Sequence, residues 1–311
     1  MSQPYEVRTV PIGDKSQIEQ MGTKPKFWFR VVNKDGTEQF LFKYNRPNTG
    51  EDWSEKIAAE IAELIGLPHA VVELAQCEGR RGVVSKDFTE DQAKGALIHG
   101  NELLVIIDPD YPSGRFRKVS QHSIDNLIYA LSRKYISLPD GHSFPSGIGD
   151  TVDLFLGYLM LDVVIGNVDR HHENWGILVR IGESEGDFHA ELAPSFDHAS
   201  SLGRELREPR REALLGGRSG QSTVAVYASR ARSAIYLGTE DAKPLLTLDA
   251  FSRFSEHAPN ARRIWLDKLK GLSEDSLREC VERVPPNILS RSSAEFVYRV
   301  LLFNRERLLN L

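Results

Sequence analysis

Gly166-Asn167-Val168-Asp169-Arg170-His171-His172-Glu173-Asn174-Trp175-Gly176-Ile177-Leu178 is the stretch whose reading decides the fold. Val152–Ile165 before it is dominated by large apolar residues, interrupted by Asp153 and Asp162. Polarity then switches abruptly. One acid, two imidazoles, a second acid and two amides stand between Asn167 and Asn174. Apolar residues resume at Trp175, Ile177, Leu178 and Val179. A polar knot between a buried helix and a buried strand is where a rigid scaffold holds chemistry on a short loop. The same residues also read as a surface turn capped by Asn and Asp. What surrounds the knot decides between the two.

With 311 residues the chain can bury a full core, as one two-lobed domain or two smaller ones. Its apolar and charged fractions, 41% and 27%, are those of an ordinary globular protein. A net charge of -5 excludes a molecule built as a whole to coat nucleic acid or an anionic membrane. The two cysteines, Cys77 and Cys280, are far apart and have no CxxC partner, which points to reduced thiols. The N-terminus carries no apolar signal core. The run Thr151–Ile165 is too short for a bilayer, and no basic amphipathic helix offers a membrane anchor. A cytoplasmic protein is expected.

Upstream, Phe27-Trp28-Phe29-Arg30-Val31-Val32 and Gln39-Phe40-Leu41-Phe42-Lys43-Tyr44 read as strands joined by the Asp35-Gly36 turn signal. Met21-Gly22-Thr23-Lys24-Pro25-Lys26 before them reads either as a solvated turn or as a loop that cradles phosphate. A helix is expected at Asp52–Leu64, ended by Gly66 and Pro68. Its acids Glu55, Glu60 and Glu63 are expected to be solvated by default. Two strands follow, at 70–75 and 82–88. Beyond a joint near 88–100 the composition turns helical, with helices expected at 120–135, 151–165, 248–257, 259–271, 274–284 and 292–309. This is an α+β layout, a small β-rich N-lobe (1–90) on a larger helical C-lobe (91–311).

Three features past the joint fit one chemistry. Asn174 follows Asp169 by five positions, and Ala193-Pro194-Ser195-Phe196-Asp197-His198-Ala199-Ser200 places Asp197 after a second apolar stretch. Phosphoryl transfer needs an acid near the attacking hydroxyl and hard oxygen ligands for Mg²⁺. An Asp, an Asn five residues on and a later Asp supply that set, at the separation seen in protein-kinase catalytic loops.

The pattern Asn167-x-Asp169-x-His171-x-x-Asn174 followed by Phe196-Asp197-x-x-Ser200 resembles the catalytic core of HipA-type serine/threonine kinases. The resemblance extends over most of the chain, as a compact C-terminal kinase module without the extra N-terminal subdomain of the full-length toxins. Asp169-Arg170-His171-x-x-Asn174 is also similar to phosphoinositide 3-kinase catalytic loops. The resemblance implies a two-lobed, protein-kinase-like fold that uses ATP and Mg²⁺. Asp169 would orient or deprotonate the acceptor hydroxyl, and His171 would support the loop or the transferring phosphoryl. Asn174 and Asp197 would hold Mg²⁺. Lys43 would contact the α- and β-phosphates, with Glu55 pairing it from the helix. Gly22, Thr23, Lys24 and Lys26 would stand in for the phosphate-covering loop. Val84, Ser85, Lys86 and Asp87 would form the hinge whose backbone bonds adenine. His172 and Glu173 read as loop surface, because adjacent side chains diverge.

The chain departs from kinase patterns elsewhere. GxGxxG, HRD, DFG and APE are absent, and His198 stands where glycine would follow the metal Asp. The loop at Gly22–Lys26 lacks the serine of the best-known HipA toxins, so Thr23 is the nearest hydroxyl for autophosphorylation. Residues 203–232 are basic and glycine-rich and read as a mobile loop, either solvated with ion pairs to Glu205, Glu208 and Glu212 or open to an acidic, phosphorylated or tRNA-associated substrate. The resemblance also implies a protein substrate, and a small DNA-binding antitoxin as partner. Two other readings share the motif: a lipid or small-molecule kinase, and a pseudokinase that binds without transferring.

Overall fold

A computed structural model describes residues 3–11, 15–18, 24–34, 36–89, 95–181, 188–217 and 222–311, with side chains left out at 15–18 and 181. The N-terminal part is built from β1 (Val7–Thr9), β2 (Lys15–Ile18), β3 (Lys26–Asn33), β4 (Gly36–Tyr44), α1 (Glu51–Ile65), β5 (Val72–Cys77) and β6 (Arg80–Lys86). These strands form one sheet in the order β1-β5-β6-β4-β3-β2, antiparallel except where β1 meets β5. Asn33 pairs with Gly36 across the hairpin, whose Asp35 lies outside the described residues.

Side chains alternate between the faces of a strand. Phe27, Phe29, Phe40, Phe42 and Tyr44 therefore share one face, where they pack with Val10, Ala75, Cys77 and Val84. Phe42 and Tyr44 meet edge to face with centroids 4.7 Å apart. The same alternation turns Trp28, Leu41 and Lys43 to the other face, toward a cleft. Gly82 lets β6 run close beside Lys43, since a Cβ there would lie 2.2 Å from the Lys43 carbonyl oxygen. The helix α1 ends at Gly66 in the left-handed conformation, as its sequence predicts.

The C-terminal part contains β7 (Gly95–His99), α2 (Gly100–Ile107), α3 (Ile124–Leu131), β8 (Ile136–Ser137), α4 (Thr151–Ile165), β9 (Gly176–Ile181) and β10 (Phe188–Leu192), then α5 (Glu208–Leu215), α6 (Val224–Ala228), α7 (Thr247–Ser255), α8 (Pro259–Gly271), α9 (Glu274–Glu282) and α10 (Arg291–Leu309). A second sheet, β7-β9-β10-β8, lies beside these helices. The helix α4 is the hub, buried on nearly every side and packed against α7, α8 and α10. Gly157 on it admits the rings of Trp265, whose indole N–H donates to the Asp153 carbonyl (2.8 Å). Asp150 caps its start and left-handed Gly166 ends it, delivering the chain straight into the polar knot. The fold is a two-lobed α+β structure. No helix among the described residues is long and apolar enough to cross a membrane.

Several expectations need correction. Residues 203–232 are not one loop, because α5 and α6 occupy much of the segment. Arg211 on α5 is buried against the Trp53 ring (5.2 Å) and donates to the Gly203 carbonyl and Ser293. Glu205 and Glu208 accept hydrogen bonds from the hydroxyls of Tyr227 and Ser292, and no arginine among the described residues forms an ion pair with them. The helix expected at 120–135 is shorter, Ile124–Leu131, because Ser123 caps its start and the chain turns away at Ser132 before Ile136–Ser137 pairs with β10.

Candidate active site

A cavity of ≈ 370 Å³ lies between the six-stranded sheet and the polar knot. Lys24, Lys26, Lys43, Ser85, Lys86, Asp87, Asp169, His171, Asn174, Phe196 and Asp197 all line it. Gly22 and Thr23 lie outside the described residues. Val84 is not brought to the cavity. It sits in the interior strand β6 and packs into the aromatic cluster on the opposite face.

Lys43 reaches from β4 to carboxylates of both lobes. Its Nζ stands 3.3 Å from Glu55 Oε1 on α1 and 3.2 Å from Asp197 Oδ1. Glu55 is almost fully buried, so it is not the solvated helix acid its composition suggests. Burial opposes the Lys43 ammonium, but Asp197 and Glu55 outweigh it and hold its pKa above the ordinary lysine range. Burial also opposes the Asp197 carboxylate, and Lys43, Lys24 and Lys26 hold it well below the usual range. Burial raises Glu55, with Lys43 only partly offsetting it. Asp197 adopts φ 59°, a left-handed conformation that Asp tolerates better than most residues.

The knot itself is held by buried hydrogen bonds. Arg170, fully buried, donates through Nε and Nη2 to both oxygens of Asp162 (2.8 Å each). It also donates to the Asn174 carbonyl (2.9 Å) and to Ser195 Oγ (3.0 Å), which bonds His198 (2.7 Å). Asn167 Nδ2 donates to Asp162 as well (2.8 Å), and Asn174 Nδ2 donates to the Asp169 carbonyl (2.7 Å). These bonds leave the Asp169 carboxylate about a quarter exposed, accepting from Ser200 Oγ at 3.1 Å and with His171 Nε2 at 4.0 Å. His171 accepts the Glu173 N–H at Nδ1 and lies edge-on to Phe116.

His172 is not loop surface. It is 1% exposed, and its Nδ1 bonds the Tyr111 hydroxyl (2.7 Å). Of two adjacent imidazoles one points inward, and Tyr111 and His122 surround it. The composition of the segment carries no signal for which one. Reading the sequence quoted Arg170 and Ser200 within the motif but gave them no role, and it gave none to Glu51 and Arg204 either. An acid near the end of an apolar helix, Asp162, is the one local sign that a buried cation should follow. Glu51, 2% exposed, gathers Lys24 Nζ (3.2 Å), Arg46 Nη1 (2.7 Å) and Arg204 Nη1 (2.7 Å). Arg204 Nη2 donates onward to Ser200 Oγ (3.0 Å), which links this cluster to Asp169.

The buried imidazoles make stability depend on pH. Trp175 Nε1 can only donate, so His122 Nε2 accepts from it (3.1 Å) and the His122 proton sits on Nδ1 toward the Ala234 carbonyl. Burial lowers His122 to about 3 and His172 to about 4. The unfolded chain binds these protons near pH 6.5. Below that pH the unfolded state holds more protons, so stability is full above it and is lost as pH falls toward 4. Urea midpoints are expected to fall between pH 7.5 and 5.0. His122→Gln, which keeps one donor and one acceptor, should narrow that gap, and an unchanged gap would remove His122 from the account.

The comparisons with known proteins bear on the family and the fold. The family model described as the HipA-like C-terminal domain matches residues 18–285. The chain belongs to this family. The structure is similar to the Helicobacter pylori proinflammatory kinase CtkA, with a TM-score of 0.64 and 18% identity over 97% of this chain and 96% of that one. It is also similar to HipA of Shewanella oneidensis, solved in a toxin–antitoxin complex with HipB and operator DNA. There the TM-score is 0.55 and the identity 11%, over 95% of this chain and 65% of that one. None of the curated proteins matches the sequence. The HipA-like fold thus accounts for both lobes, and the cavity lies where the two meet.

Proposed function

We propose that this HipA-like chain is a serine/threonine protein kinase that transfers the γ-phosphoryl group of ATP with the help of Mg²⁺. One observation carries the reading: a single cavity gathers Lys43, Asp169, Asn174 and Asp197 from separate segments, with Glu55 behind the lysine. Asp169 is the acid nearest an incoming hydroxyl, about a quarter exposed and held by Ser200. Its role is to orient that hydroxyl and accept its proton. Asn174 and Asp197 suit Mg²⁺, because the bond from Asn174 Nδ2 leaves Oδ1 as a hard oxygen donor beside an ionised carboxylate. Mg²⁺ bound there would neutralise charge on the phosphates. Lys43, Lys24 and Lys26 supply cations for those phosphates. Ser85, Lys86 and Asp87 edge the cavity where β6 ends and suit the adenine end of the nucleotide. His171 stands between Phe116 and Asp169 and supports the loop.

In this reading residues 1–90 and 91–311 are the lobes of one kinase domain working in the cytoplasm on a protein substrate. A small DNA-binding antitoxin is a further proposed partner, by analogy with the HipB complex of the Shewanella protein. Radiolabelled ATP added to whole-cell lysate tests the reading. Label on serine or threonine that EDTA abolishes is expected, and no label on any protein with Mg²⁺ or Mn²⁺ would sink it. Lys43→Met removes a charge-assisted contact of roughly 1.5–3 kcal/mol. Calorimetry with a non-hydrolysable ATP analogue should therefore show affinity weakened at least about tenfold, and unchanged affinity would remove Lys43 from the nucleotide site.

A further inference from the structure

A second cavity, ≈ 480 Å³, adjoins the first and shares Phe116, Asp169, His171 and Ser200 with it. The nucleotide reading assigns the first cavity to ATP, so the second is where an acceptor hydroxyl meets Asp169. Its charge is one-sided. Arg117, Lys118, Arg204, Arg230 and Arg232 line it, and Asp169 is its single carboxylate. Arg204 is engaged by Glu51 and Ser200. The other four are exposed, and none has a carboxylate within ion-pair distance among the described residues.

The four come from two segments far apart in the chain. Arg117 and Lys118 follow Phe116, whose ring lies against His171 with centroids 4.4 Å apart. Arg230 and Arg232 follow α6, and Arg232 is anchored by a bond from Nη1 to the Pro244 carbonyl (2.7 Å). Two basic segments lining one cavity with Asp169, on a chain of net charge -5, form a local positive field that a wholly neutral or basic acceptor would leave uncompensated. The walls are also apolar in part, through Val119, Val168 and Tyr236. Val168, just before Asp169, is about half exposed and offers a surface for an aliphatic side chain. Nucleic acid would call for a longer basic track along its backbone.

We infer that the acceptor is an anionic peptide segment, a serine or threonine flanked on both sides by carboxylate- or phosphate-bearing residues. Arg117 and Lys118 meet the anions on one side and Arg230 and Arg232 those on the other, as charge-assisted hydrogen bonds. This rests on the kinase reading for its purpose, but its test is a binding measurement that needs no transfer. Fluorescence anisotropy would compare four short labelled probes: a serine peptide flanked by Asp and Glu, the same peptide flanked by phosphoserine, one flanked by Lys, and a single-stranded RNA.

Wild type is expected to bind one or both anionic peptides and to ignore the Lys peptide. The better of the two identifies carboxylate or phosphate as the recognised group. Charge reversal at Arg117→Glu with Arg230→Glu should weaken that binding by roughly tenfold or more, with affinity for the ATP analogue unchanged. Added salt should weaken the wild-type complex as well. Equal binding of the Lys peptide, tighter binding of RNA, no binding of either anionic peptide, or indifference to the reversal would each overturn the inference. If anionic peptides bind but no condition gives transfer, the kinase reading fails while the groove stands.

Discussion

Asp169→Asn is expected to lower phosphoryl transfer by roughly 10²–10⁴-fold, the range that a positioned acid or base contributes. The substitution keeps the shape of the side chain and removes its charge. Asp169 Oδ2 accepts from Ser200 Oγ at 3.1 Å, and an amide oxygen can take that bond over. The main-chain bonds that hold the loop, from Asp169 N to Asn167 Oδ1 (3.1 Å) and from Asn174 Nδ2 to the Asp169 carbonyl (2.7 Å), do not involve the carboxylate. With the side chain 28% exposed, the expected stability change is within about 0.5 kcal/mol, as for a surface position. Activity and stability should therefore separate. Transfer of label from ATP would collapse while the urea midpoint stays put. Full activity in Asp169→Asn would mean that another group receives the proton and that the knot is a scaffold only.

Arg170→Met is expected to act the other way, on the fold first. Arg170 is 0% exposed and makes four side-chain hydrogen bonds, two of them to Asp162 inside the apolar helix α4. Removing one partner of a buried ion pair leaves the other charged and unpaired, at a cost of about 3–5 kcal/mol. Asn167 Nδ2 still donates to Asp162, which softens the loss without replacing the cation. The Asn174 carbonyl and Ser195 lose donors too, so the loop and the segment after β10 that carries Asp197 would loosen together. Urea denaturation measures the cost. The double variant Arg170→Met with Asp162→Leu separates charge from packing, because replacing both partners with apolar groups should recover much of the loss. A cost under about 1 kcal/mol for the single variant would show that the pair is solvated in the native ensemble.

How much of this was legible in the sequence depends on whether the signal was local. The bounds of α4, Thr151–Ile165, follow from a capping Asp150, an apolar run and Gly166. The helix α8 begins at Pro259, whose missing N–H costs nothing in a first turn. Strand alternation put Lys43 on the face opposite Phe42 and Tyr44. The spacing of Asp169 and Asn174, with Asp197 later, could be read because the loop is short. Tertiary partners could not. The helix α5 has little apolar periodicity, and partners distant in the chain, Trp53 and Ser293, make a buried residue of Arg211. Strands β7 and β8 are short and are defined by pairing with β9 and β10. The outer strands of the second sheet were therefore invisible in composition, whereas β9 was legible as the apolar run after Asn174. His172 looked identical to His171 until Tyr111 supplied a place for it.

The Glu51 cluster has a consequence for how such a molecule can be governed. The helix α1 carries Glu55 to the lysine, and its first turn is fastened to the segment after Asp197. Gly50 N–H donates to the Arg204 carbonyl (2.8 Å), Ser54 Oγ to the Ser201 carbonyl (2.9 Å), and Glu51 takes Arg204 itself. An outward swing of this helix would have to break those bonds while also parting Lys43 from Glu55. Regulators that work by rotating a helix find no loose hinge at this end. On the kinase reading proposed above, control would fall instead to what gains entry to the two cavities: a competitor for one, or a neighbouring molecule laid across the other.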